Sequence, residues 1–101
     1  MPATSVRSYS SVPENFALEQ NYPNPFNPST TIKFSIPQNG SVTLVIYNII
    51  GEKVATLING QDFKSGSYQV SFDGSKLASG VYLYRLNYGS NSMTKKMMLL
   101  K

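Results

Sequence analysis

Residues 66–86 read GSYQVSFDGSKLASGVYLYRL, and this stretch decides the fold. Tyr68, Val70 and Phe72 alternate with Ser67, Gln69 and Ser71, the period-two pattern of a strand buried on one face. Asp73-Gly74 stops that strand, and SKLASG offers one helical turn at most before Gly80. Alternation then resumes, with Tyr82, Tyr84 and Leu86 on one face and Val81, Leu83 and Arg85 on the other. Leu77, Gly80 and Tyr82 have the spacing of a corner in which a tyrosine early in a late strand bonds back to the preceding loop. A plain cross-strand aromatic fits the same residues.

The same period runs outward from this pair. Ile32, Phe34 and Ile36 alternate with polar neighbours until Pro37-Gln38-Asn39-Gly40. Val42, Leu44 and Ile46 alternate with Thr43, Val45 and Tyr47, so the second face there is also partly apolar, and Gly51 supplies a turn before Lys53–Ile58. Asn59-Gly60 and Ser65-Gly66 bracket what reads as a polar connection. On the far side, Gly89-Ser90-Asn91 turns the chain into a last strand from Met93 to Leu100. Six strands and a weaker seventh near Phe16–Gln20, with turn signals every ten or so residues, predict an all-β fold. It is an Ig-like or fibronectin-like antiparallel β-sandwich of about seven strands.

Ahead of the strands the character changes. Residues 1–15 are rich in Ser and Pro with no apolar period, which predicts a linker or tail, largely disordered, before a domain over 16–101. From Asn21 to Ser29, Asn and Pro alternate, which excludes a helix and gives an ordered, turn-containing lead-in.

Composition narrows the function. The 101 residues support one domain. Only 14% are charged, so the surface is rich in neutral polar groups, as suits an exported or assembled module. With neither cysteine nor histidine, disulfides, thiolate metal sites and the commonest general base are excluded. The five acids, Glu14, Glu19, Glu52, Asp62 and Asp73, form no acid–base pair by spacing, and Ser75-Lys76 is merely adjacent in a turn. No catalytic, cofactor-binding or metal-binding residue is expected, and no cofactor. The net charge of +4 is spread along the chain rather than gathered, which argues against nucleic acid. No apolar run is long enough to span a membrane as a helix, and no signal-peptide layout opens the sequence.

Two features remain. Most of the seven tyrosines and five phenylalanines sit at inward positions and read as core, with Tyr47 and Tyr88 kept as candidate exposed contacts. The tail SMTKKMMLLK crowds Met93, Met97, Met98, Leu99 and Leu100 at the end of the chain. A strand buried on both faces accounts for it, and so does a detachable strand that adds to another sheet.

Taken in order, NYPNPFNPSTTIKFSIP, VTLVIYNIIGEKVATLING, GSYQVSFDGSKLASGVYLYRL and TKKMMLLK resemble the type A carboxyl-terminal sorting domain of the type IX secretion system. The resemblance covers Phe16 to Lys101, and the P-N-P-F-N-P opening is more loosely similar to the Ig-like domain of flagellar hook-cap proteins. It implies a non-enzymatic sorting signal at the end of a larger cargo from Bacteroidota-type bacteria. Such cargo reaches the periplasm and is then recognised by an outer-membrane translocon. In many members a sortase cleaves the domain off and attaches the cargo to surface lipopolysaccharide, so the destination is the cell surface or the medium. By the same resemblance the recognition residues are Gly80, Val81 and Tyr82, with Lys95, Lys96, Met97, Met98, Leu99, Leu100 and Lys101. Two other readings are an accessory or adhesion module binding polysaccharide or a neighbouring domain, and a hook-cap-like structural subunit. The first predicts a row of exposed aromatics on one face.

Overall fold

A computed structural model describes residues 6–9 and 14–101. Among these residues are eight strands: β1 (Val6–Tyr9), β2 (Ala17–Leu18), β3 (Ser29–Ile36), β4 (Gly40–Asn48), β5 (Lys53–Phe63), β6 (Gly66–Asp73), β7 (Gly80–Tyr88) and β8 (Asn91–Leu99). They form two antiparallel sheets, β1-β6-β3-β2 and β5-β4-β7-β8. From β2 onward these are the seven strands expected, and their split between two sheets is that of a β-sandwich. Beyond them, Val6–Tyr9, inside the stretch expected to be a tail, pairs with β6 from Val6↔Val70 to Tyr9↔Ser67. The rest of that stretch up to Pro13 lies outside the described residues.

The inward faces meet as the alternation requires. Ile32, Phe34 and Ile36 of β3 and Val70 and Phe72 of β6 pack against Val42, Leu44 and Ile46 of β4, Tyr82, Tyr84 and Leu86 of β7, and Met97 and Leu99 of β8. Burying these side chains is the main driving force for the fold, at about 1.5–3 kcal/mol for each large one.

The segment after Ile58 departs from the expectation of a polar connection, because β5 continues through it to Phe63. The register passes from Leu44↔Ile58 to Val42↔Gln61, so β5 carries an extra residue there. Gly60 absorbs it at φ 61°, a left-handed conformation that glycine adopts without steric cost, and its N–H donates to Thr43 Oγ1 at 3.0 Å. The bulge returns Phe63 to the core, edge-on to Phe34 at 5.8 Å and to Tyr68 at 4.8 Å.

Of the two readings of Leu77, Gly80 and Tyr82, the structure has the corner at the start of β7. Tyr82 is buried and its hydroxyl donates to the Ala78 carbonyl at 2.7 Å, across the turn in which Leu77 N–H bonds to Gly74 O. Replacing Tyr82 with phenylalanine keeps the ring and strands that carbonyl, so unfolding in urea should show a loss of about 1–3 kcal/mol. A loss of a few tenths would mean that the hydroxyl contributes nothing to the corner.

Candidate functional site

The resemblance points to the terminal strand, and the fold gives that strand two distinct faces. Along β8 the inward residues Met97 and Leu99 are 1% and 0% exposed, whereas Met98 is 40% exposed and Leu100, just beyond it, 50%. The strand is therefore buried on one face only. Four consecutive apolar residues conceal an ordinary alternation.

Its pairing partner is β7, in the register Gly80↔Leu99, Val81↔Met98, Tyr82↔Met97, Leu83↔Lys96 and Tyr84↔Lys95. Gly80, Val81 and Tyr82 thus lie directly against the terminal residues named beside them. Their roles differ. Tyr82 points inward with Met97, while Val81 shares the outer face with Met98. Lys95 is half-buried on the inward side, and Lys96 and Lys101 are exposed.

The other edge of β8 is not open along this stretch, because the Asn-Pro lead-in covers it. Gln20 Nε2 donates to Lys96 O at 2.7 Å, and Met98 N–H donates to Asn24 Oδ1 at 3.0 Å. Phe26 N–H donates to Met98 O and Leu100 N–H to Phe26 O, both at 2.9 Å, a short parallel ladder between Phe26 and Leu99. The outward backbone groups of an edge strand are a template for another chain; here four of them already have partners. Lys101 continues the attachment, with its N–H on Ser79 Oγ at 3.0 Å and its ammonium on the Ser75 carbonyl.

Phe26 anchors the lead-in. Its ring is 1% exposed and meets Phe72 edge-on at 6.1 Å. Gly74 makes room for it, since a Cβ there would stand 3.2 Å from both the Phe26 ring and the Leu99 side chain. Gly74 N–H also donates to Pro28 O at 2.8 Å. The X-Pro bonds at Pro23, Pro25 and Pro28 are cis.

A second anchor ties the same segment to β7. The Tyr84 hydroxyl donates to Glu19 O at 2.6 Å and accepts from Asn21 N–H at 2.8 Å. Asn21, itself 2% exposed, reaches Thr30 Oγ1 and Pro23 O through its amide. Burial pushes the Tyr84 hydroxyl up to about 12 from its ordinary 10; the Asn21 N–H bond pulls it down and the Glu19 charge raises it further.

Neither Tyr47 nor Tyr88 is a free contact. Tyr88 is half-buried, packs on Phe16 at 5.2 Å and donates its hydroxyl to Gln38 O. Tyr47 is half-buried beneath the Arg85 guanidinium, 5.8 Å from its ring centroid. Among the described tyrosines it is Tyr22 that is exposed, at 79%, so they make no aromatic row on one face. Reading the sequence misses Gln20, Asn24 and Phe26 as partners of the terminal strand, since no local pattern announces a contact more than seventy residues away.

The sandwich thus holds its carboxyl-terminal strand between a neighbouring strand and an Asn-Pro strap, with one side-chain face outward. The chain belongs to the secretion system C-terminal sorting domain family, whose sequence profile matches residues 20–100. Such domains are sorting signals for type IX secretion, follow a cargo protein, and are a non-catalytic family. Membership carries secretion across the outer membrane to the surface or the extracellular space. No curated protein matches the chain.

Proposed function

We propose that the terminal strand is the label the outer-membrane translocon reads, through the side chains of its outward face. In this reading Lys96, Met98 and Leu100 make contact, with Lys101 supplying positive charge at the end of the strand and Lys95 adding its charge from the half-buried inward side. Met97, Leu99 and Tyr82 hold the strand in the core, and Gly80 and Val81 set its position through the β7 ladder. The observation that supports it is the asymmetry at the end of β8: Met97 and Leu99 are sealed in the core, whereas Met98 and Leu100 are exposed although apolar. Because the strap occupies the strand edge over Lys96–Leu100, docking is by side chains and not by addition of a strand there. Cargo attached ahead of Phe16 is then cleaved from the domain by the sortase and joined to a surface anchor.

The test is export of a reporter fused ahead of the domain in a type IX-competent host. Lys96→Glu with Met98→Glu changes only exposed side chains, so stability should move by under about 1 kcal/mol. Export should nevertheless fall by at least about tenfold, equivalent to one lost contact of 1.4 kcal/mol. Full export by a folded double variant would overturn this reading. Removing Lys95–Lys101 is a poorer test, because it also takes Met97 and Leu99 out of the core. Attachment is read separately, from whether the exported reporter has lost the mass of the domain.

A further inference from the structure

The six large hydrophobic side chains that stand exposed among the described residues are not scattered. Four of them, Ile49, Ile50, Met98 and Leu100, lie at one end of the second sheet. The register puts them there: Asn48 is opposite Tyr82 and Val81 opposite Met98, so the β4–β5 turn and the end of β8 flank the start of β7. Ile49 and Ile50 are 73% and 77% exposed at the tip of that turn. An apolar cluster of this kind on a domain with a polar surface marks an interaction site.

The turn is held rigidly for a pair of solvent-facing isoleucines. Asn48 Oδ1 accepts from the N–H groups of Ile50 and Glu52 at 3.1 and 2.9 Å, and Asn48 Nδ2 donates to Glu52 Oε1 at 2.8 Å. The backbone adds Asn48 N–H to Glu52 O and Gly51 N–H to Asn48 O. A loop fixed in one shape loses little conformational entropy on docking.

From these observations, and resting on the reading of β8 as the label, we infer that the Ile49-Ile50 turn is the second half of the same docking surface. Its occupant is a protein of the secretion apparatus with an apolar, concave site rimmed by carboxylates. Charge argues for that chemistry. One row across the sheet runs Lys53, Tyr47, Leu83, Lys96, an apolar middle between two exposed lysines. A second copy of this chain would bring the same positive rim and a net charge of +4 against it, which disfavours self-association. A fluid bilayer has no concavity to match a turn whose shape is fixed by the Asn48 and Glu52 hydrogen bonds.

The experiment compares two full-chain fusions in the export assay, Ile49→Ser with Ile50→Ser, and Lys96→Glu with Met98→Glu. Both isoleucines are exposed, so the first variant should keep its melting temperature. Its export should fall by about tenfold or more. Lost export in the β8 variant with full export in the isoleucine variant overturns the two-part surface and leaves the label reading standing. Full export in both overturns the label reading as well. The bilayer alternative is read by co-sedimentation with vesicles of phosphatidylcholine containing roughly a quarter phosphatidylglycerol. Binding of the wild-type domain that disappears in the isoleucine variant makes a membrane the occupant and overturns the protein partner; absence of binding supports it.

Discussion

Replacing Phe26 with alanine is expected to cost about 3–5 kcal/mol of folding stability, the range for emptying an aromatic site in a packed core. The ring is 1% exposed, meets Phe72 edge-on and lies close over Gly74, which has no side chain to move into the space. Against a total stability of about 5–15 kcal/mol for an ordinary domain, this single change removes a large part of the margin. The loss also has a location. The Leu100 N–H bonds to the Phe26 carbonyl, and the Phe26 N–H to the Met98 carbonyl, so a loosened strap exposes the end of β8 first. Urea unfolding measures the total, and native-state hydrogen exchange at the Leu100 amide should accelerate more than exchange in β4. A loss under about 1 kcal/mol with an unchanged Leu100 amide would show that the strap does not hold the strand.

Tyr84→Phe should be the next most damaging change for its size, because one oxygen serves two backbone groups, a buried N–H and a part-buried carbonyl. Without the hydroxyl, the buried Asn21 N–H loses its partner at about 1–3 kcal/mol, and the part-buried Glu19 carbonyl loses its partner at a smaller cost. This site also responds to alkali. Tyr84 titrates near its ordinary 10 in the unfolded chain and at about 12 in the fold, so between those values the unfolded chain has released a proton that the folded one retains. Its contribution to stability is complete below pH 10 and disappears as pH rises through 12, with a slope of at most about 1.4 kcal/mol per pH unit. Urea unfolding of wild type and Tyr84→Phe across this window should therefore converge: the variant starts lower and falls less steeply. Parallel curves would mean that burial does not hold the Tyr84 proton.

Much of this architecture is legible in the sequence because alternation is a local signal with a direct structural meaning. Residues such as Ile32, Phe34 and Tyr84 declare their face by their neighbours, whereas the Leu77–Tyr82 spacing fits a corner and a plain cross-strand aromatic alike, and the Tyr82 hydroxyl bond to Ala78 O decides for the corner. The continuation of β5 is hidden because Asn59-Gly60 is also a turn signature; only pairing with β4 distinguishes a bulge from a reversal. Strand β1 is hidden because Val6–Tyr9 lacks a sustained apolar period. The terminal segment is ambiguous for a different reason. Met97 to Leu100 are uniformly apolar, so composition cannot say which of them face out, and the ladder to β7 decides it. The strap is the least legible part. Its prolines dictate extended, non-helical backbone but say nothing of the strand lying beside it.

The ladder between the strap and β8 has a mechanical side. Phe26 and Leu99 run parallel, so tension that draws the lead-in towards its amino end and the terminal strand towards its carboxyl end slides the two past each other. The two backbone bonds flanking that pair lie across the direction of pull and are loaded together in shear, not opened one after another like a zipper. Pulled in those two directions, the strap and the terminal strand resist at this seam.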